Sequence, residues 1–225
     1  MPLVGYWPLH EDSGSTAYDV RGSNNGTISN GGDSTVVGAS GLLGNSAYSF
    51  DGTNDYIEVP SNGWSGDGVS VTAWVYPRRY GNNGGSYNGI FLRFRLADPV
   101  VLNTRQSGDL DAYLYDRSAA NTYRVNTPGN TNQWYHMVCT YDGSTLKLYI
   151  NGELVDSNAI NVTPDFSNPS PSTFFGNLDT STDRYFDGKM QDVRIYDHAL
   201  APSTVQYLYE VVANQSNLVT AKKRL

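Results

Sequence analysis

The sequence predicts an all-β sandwich or barrel with one short helix near its C-terminus, and three observations predict it. Apolar and polar residues alternate with a period of two along most of the chain, as in Val69, Val71, Ala73 and Val75 against Ser70, Thr72, Trp74 and Tyr76. Steps that supply the positive φ of tight hairpins punctuate the pattern, among them Asn25-Gly26, Asp51-Gly52, Asp142-Gly143, Asn151-Gly152 and Asp187-Gly188. Strand-like runs recur about every ten residues with no helical segment between them, which sets the chain apart from a parallel βαβ sheet.

The clearest elements are Trp134 to Tyr141, Thr145 to Ile150 and Glu153 to Ala159, a three-stranded meander across Asp142-Gly143-Ser144 and Asn151-Gly152. Upstream, Ile90 to Leu96, Pro99 to Thr104, Leu110 to Tyr115 and Thr122 to Asn126 read as four more strands, the second opening on a proline that only a strand start or edge tolerates. Gly81 to Ser86 reads as a loop. Ala201 to about Ala213 reads as a surface helix, because Pro202 suits a first turn and Val205, Leu208 and Tyr209 recur at helical spacing. Beyond it, Lys222, Lys223 and Arg224 mark a basic tail that is either mobile or docked on a partner.

A length of 225 residues suits one such domain, taken here as 1–209 with 210–225 as helix end and tail. A net charge of −7 argues against a role that rests on neutralising phosphates, since nucleic-acid binding needs a basic surface. The acids are 18 Asp against 4 Glu, the balance of a turn-rich chain rather than a helical one. Cys139 has no partner for a disulfide, so the fold rests on packing, and its mid-strand place suits a small buried apolar residue. No apolar run reaches the roughly 18 residues of a membrane span, and no basic stretch followed by an apolar one opens the chain.

Several segments together resemble a laminin-G-like domain of the concanavalin A-like lectin/glucanase superfamily. These are Gly5-Tyr6-Trp7-Pro8-Leu9, Asp19 to Thr27, Tyr48 to Val59, Val71 to Val75, Trp134 to Val138, Thr140 to Gly143, Leu148 to Gly152, and Asp192 to Tyr196 with Ala199-Leu200. The resemblance covers roughly Leu3 to Tyr209. It implies a two-sheet antiparallel jelly-roll sandwich in which the first and last strands are neighbours and a helix follows the final strand. It also implies a calcium ion on the sandwich edge and binding of glycans or proteins.

Calcium takes six to eight oxygens from carboxylates, amides and carbonyls. By resemblance Asp19, Asp51 and Asp192 would converge as ligands, with Asn24, Asn25 and Thr27 in support; the alternative is an Asx-turn at Asp19 and an ion pair of Asp192 with Arg194 or another Arg. Catalysis by a glycosidase would need two facing carboxylates. Glu11, Glu58, Glu153 and Glu210 are scattered, Glu153 and Asp156 fall on opposite strand faces, and Glu11-Asp12 sits in a Gly/Ser loop, so no catalytic residue is expected. His136 alternates with Trp134 and Val138 and reads as a hydrogen-bonded core histidine; His10 and His198 have no Ser or Cys partner pattern.

For a ligand face, alternation sends Leu110, Ala112 and Leu114 inward and Asp111, Tyr113 and Tyr115 outward, beside an outward Phe91, Arg93 and Arg95 and with Tyr123 adjoining. Aromatic rings stack on sugars while Arg and Asp hydrogen-bond hydroxyls, and the same mix also suits a subunit interface. Trp64, Tyr80 and Tyr87 form a second candidate rim. The sequons at Asn25, Asn161 and Asn214 decide nothing. The expected function is a non-catalytic module at an extracellular surface that binds cell-surface or matrix glycan or glycoprotein with a structural calcium ion. The rival is a structural subunit of a virion (capsid decoration, spike or tail fibre) or other surface assembly, a homo-oligomer held partly through the C-terminal tail.

Overall fold

A computed structural model describes residues 3–29, 37–42, 46–60, 68–80, 87–94, 100–116, 120–160, 172–177 and 184–222, with side chains described except in 87–94 and 217–222. In chain order the strands are β1 (Leu3–Trp7), β2 (Thr16–Ala17), β3 (Gly26–Ser29), β4 (Ala39–Ser40), β5 (Ser46–Asp51), β6 (Tyr56–Pro60), β7 (Val69–Pro77) and β8 (Tyr87–Phe94). They continue as β9 (Val100–Arg105), β10 (Asp109–Asp116), β11 (Asn121–Pro128), β12 (Tyr135–Tyr141), β13 (Thr145–Ile150), β14 (Glu153–Ala159), β15 (Ser172–Phe175) and β16 (Asp187–Tyr196), and α1 (Pro202–Lys222) follows.

The strands form two eight-stranded sheets. The first runs β14-β13-β12-β7-β16-β5-β4, with β1 also on β16, and the second runs β11-β10-β9-β8-β15-β6-β3-β2. The first and last strands pair antiparallel, Tyr6 opposite Arg194 and Trp7 opposite Val193. This is an antiparallel sandwich with one C-terminal helix, as the alternation and the resemblance implied.

Each sheet turns its apolar row to a shared core. From the first come Val71, Ala73, Val75, Met137, Cys139, Leu146 and Leu148; from the second come Leu102, Leu110, Ala112, Leu114, Ile57 and Phe175, all buried. Trp7 meets Phe175 edge-on with ring centroids 5.2 Å apart, joining the sheets at one end. Cys139 is buried among these side chains, and burial raises its thiol pKa well above the ordinary value.

The meander forms as its turns dictate. Asn151 at φ 53° and Gly152 at φ 87° make the two-residue link that matches strand twist, and Asp142 Oδ1 accepts the Ser144 and Thr145 amides at the other turn. The helix is longer than its pattern suggested, running on past Ala213 to Lys222, while Lys223 and Arg224 of the basic tail lie outside the described residues. Its start is pinned: Ser70 Oγ accepts the Leu200 amide and donates to the His198 carbonyl, tying the link after β16 to β7. Leu200 and Val205 then pack on Val138 and Tyr149, with Leu208 and Tyr196 around them, so α1 covers part of the first sheet's outer face. Among the described residues no helix is long and apolar enough to cross a membrane.

Because Phe175 is fully buried and joins both sheets, Phe175→Ala is expected to cost about 3–5 kcal/mol. Urea denaturation at neutral pH would show this as a lower midpoint with an unchanged slope; a loss below about 1 kcal/mol would mean the site collapses around the gap.

Candidate functional site

Cross-strand register defines the second sheet's outer face. Asn103 lies opposite Asp111, and Asp111 opposite Asn126; Val101 lies opposite Tyr113, and Tyr113 opposite Arg124; Tyr115 lies opposite Thr122. The same register continues the row through Arg93, opposite Val101, to Phe174 and Glu58. Phe174 and Tyr56 pack there as a tilted pair 6.1 Å apart.

At the centre of this face is a buried carboxylate. Asp111 Oδ2 accepts from Asn103 Nδ2 at 2.9 Å and from Arg124 Nη1 at 2.8 Å. The Asp111 side chain is fully buried while that of Arg124 stays 24% exposed, and the guanidinium lies 4.5 Å from the centre of the Tyr113 ring. Burial outweighs the attraction of Arg124, the Asn103 hydrogen bond and the charge of Arg105, and raises the Asp111 pKa to about 6. The result is a cation held flat on an aromatic ring by a carboxylate beneath it, the kind of fixed fork that reads hydroxyl or carboxylate oxygens.

The structure corrects parts of the sequence expectation. Asp111 faces outward but is covered, with Arg124 as its ion-pair partner. Tyr123 lies opposite Leu114, on the inner face at the margin of the core, because Val125 sets the parity of β11. Arg124 takes its place on the outer face; reading Val125 as inward would have found it. Tyr80 is part-buried against the core, and its hydroxyl donates to the Asn130 carbonyl at 3.1 Å. Arg93 and Tyr87 are placed by backbone alone. Trp64, Arg95, Asn161 and the 81–86 loop lie outside the described residues.

Among the proposed calcium ligands, Asp51 stands apart from Asp192. Asp51 lies opposite Asp187 at one end of β16, and Asp192 is five residues further on, roughly 15 Å along an extended strand. Asp192 sits at a bulge within β16, at φ 56°, with its amide on the Pro8 carbonyl. Both its oxygens accept from Arg194, whose guanidinium stacks 4.5 Å from the Tyr6 ring. Asp19 Oδ1 accepts the Tyr6 and Arg21 amides and Oδ2 the Asn24 amide, while Asn25 Oδ1 accepts the Asp19 amide. Asp51 Oδ1 caps Thr53, and Thr27 pairs with Thr16 and Glu58 in the sheet. Among the described residues no group of three His, Cys, Asp or Glu side chains could hold a metal ion. The carboxylates of Asp19, Asp51 and Asp192 each have hydrogen-bond partners within the chain.

Glutamates are equally committed. Glu11 accepts from the Tyr48 hydroxyl, Glu58 from Ser172 and Glu210 from Gln206, each on a separate element. His136 is buried as expected, but on the outer face of the first sheet, beneath α1. Its Nδ1 has no hydrogen-bond partner, and burial followed by the charge of Arg194 lowers its pKa to about 3.

The family model for the concanavalin A-like lectin/glucanases superfamily, of laminin-G type, matches residues 51–206. No curated protein matches the chain. Among solved structures, the binding domain of Paraclostridial Mosquitocidal Protein 1 is similar with TM-score 0.73 and 21% identity, over 93% of this chain and 52% of that one. The ligand-binding domain of botulinum neurotoxin serotype D, in complex with N-acetylneuraminic acid, is similar with TM-score 0.68 and 20% identity over 92% and 50%. The chain thus spans about half the length of these toxin domains. Domain 4 of AbnA, a GH43 extracellular arabinanase from Geobacillus stearothermophilus in complex with arabinotriose, is similar with TM-score 0.72 and 23% identity over 92% of this chain and 98% of that one.

A pH dependence follows from the geometry. Folded Asp111 holds its proton to about pH 6 whereas the unfolded chain releases it near 3.8, so protonation stabilises the fold below 3.8 and that stabilisation is lost as pH rises to about 6. Unfolding free energies of wild type and Asp111→Asn from urea denaturation should diverge across this window, wild type losing up to about 3 kcal/mol relative to the variant as pH rises. Parallel profiles would show that folding leaves the Asp111 pKa unshifted. The calcium expectation is read from Tm with and without a chelator: a fall reversed by added calcium supports it, and an unchanged Tm overturns it.

Proposed function

The chain belongs to the concanavalin A-like lectin/glucanases superfamily, and on that premise we propose that it is a non-catalytic carbohydrate-recognition module acting at an extracellular surface. The observation that carries this is the Arg124 guanidinium held on the Tyr113 ring by buried Asp111. A ring face and a fixed cationic fork side by side take the apolar face and the hydroxyls of one sugar residue together, with no ordering cost for the fork at binding. Tyr115 and Thr122 extend the same face along the strands.

Two neighbours support this ligand class without assigning it. AbnA domain 4 is matched over nearly its full length and was solved with arabinotriose, whereas the serotype D domain solved with N-acetylneuraminic acid is twice as long as the matched region. The resemblance supplies a calcium ion as a further proposal, and the chelator experiment tests it. The assembly-subunit reading remains a separate proposal, distinguished by oligomeric state.

Wild-type protein on an array of neutral and sialylated oligosaccharides is expected to retain glycan, and Tyr113→Ala to bind about tenfold more weakly, the worth of one aromatic contact. Size exclusion with light scattering of the same samples gives the counter-result: a cyclic oligomer blind to every glycan would overturn the lectin reading in favour of the assembly subunit.

A further inference from the structure

On the opposite side of the sandwich, a surface cleft of about 190 Å³ opens where α1 crosses the first sheet, lined by Leu42, Trp74, Trp134, Asn151, Tyr209 and Ser216 among others. Three elements bring aromatic rings to it. Trp74 from β7 stacks on Tyr209 of α1 with centroids 5.7 Å apart and planes 24° apart, and His136 packs 5.2 Å from the Trp74 ring. Trp134, just before β12, lines the cleft beside them and leans on Tyr76 at 5.6 Å.

Two polar groups there offer donors, the Trp74 indole and the Asn151 amide. Trp74 is 3% exposed, and its indole N–H is buried with no hydrogen-bond partner. A native protein rarely leaves such a donor unsatisfied without a reason. Asn151 has its Oδ1 taken by the His136 amide at 2.9 Å, which fixes the carboxamide plane and leaves the Nδ2 side for another acceptor. The lining side chains carry no charge at neutral pH, and His136 behind them is held neutral by burial.

We infer that this cleft is a second saccharide subsite, taking a single neutral sugar ring against Trp134 and the ring of Tyr209 that caps Trp74, with its hydroxyl oxygens on the Asn151 amide beside the buried Trp74 indole. The volume is below the roughly 300 Å³ at which pockets for drug-sized ligands begin, so it suits one ring of a longer chain rather than a whole oligosaccharide. Aromatic faces favour the C–H face of a sugar, the donors require oxygen acceptors, and an uncharged lining gives a carboxylated sugar no counter-charge. This goes beyond the face built on Arg124, since it uses the other sheet and different residues.

The experiment uses the whole chain with ¹⁵N-labelled tryptophan side chains and a panel of arabinotriose, xylotriose, cellotriose, galactose and mannose at millimolar concentration, with N-acetylneuraminic acid as the anionic comparison. At least one neutral saccharide is expected to shift the Trp74 and Trp134 indole N–H signals saturably, and N-acetylneuraminic acid to leave them in place. In Trp134→Ala the same saccharide should shift the Trp74 signal about tenfold more weakly. Asn151→Asp keeps the acceptor for His136 and a residue type that tolerates the positive φ of the turn, so it folds while losing the donor; it should weaken binding comparably. Tyr113→Ala should leave these shifts unchanged.

If no saccharide moves either indole, or Trp134→Ala and Asn151→Asp bind as wild type does, the cleft is not a sugar subsite. If wild type is retained on the array, Tyr113→Ala is not, and the indoles stay still, this inference fails while the proposed function stands. Moving indoles with Tyr113→Ala indistinguishable from wild type on the array give the reverse.

Discussion

The structure depends on one constraint: when one face of an extended strand is buried in the core between two sheets, every neighbouring residue is committed to the other face. β7 illustrates it. Val71, Ala73 and Val75 enter the core, so Ser70, Thr72, Trp74 and Tyr76 must stand on the outside. A row on the outside is not thereby exposed. What covers or uses it is decided by elements distant in sequence, and the two sheets settle the matter differently.

On the first sheet the outer row is covered. Ser70 anchors the chain leading to α1, and Val138 and Tyr149 receive Leu200 and Val205. Burying these apolar groups stabilises the helix, which has no acidic residue in its first turn to complement its dipole. Coverage thins towards Trp74, where Tyr209 stacks on the indole and leaves its N–H without an acceptor. On the second sheet the outer row carries its own roof, Arg124 lying on Tyr113 above Asp111.

This division explains what the sequence could disclose. The meander, its turns, the inward rows of β7 and β10 and the pairing of first and last strands were legible, because parity and turn chemistry are local and the resemblance supplied the order. Asp111 and Tyr113 were placed on the correct face for the same reason. That Asp111 would be buried was not legible, since Asn103 and Arg124 close over it from other strands. Tyr123 was misplaced by an unknown register that Val125 resolves. Asp51 and Asp192 were joined through the resemblance, which carries no measure of their separation along β16, and the helix was read short because polar residues after Ala213 weaken the periodicity without breaking it.

Asp111 is the most informative of these, because it is energetically awkward. A buried ion pair gains little net stability over an apolar pair of similar volume, and the raised pKa of Asp111 says that its surroundings resist the charged form even with Arg124 in contact. A sheet face that only had to be covered would be better served by aliphatic residues such as Val101 beside it. What the carboxylate supplies instead is position: it accepts from Asn103 and Arg124 at once and so fixes the guanidinium on Tyr113 at a part-exposed site. Stability given up beneath the surface for an ordered cation and ring above it supports the proposal that recognition lies on this face.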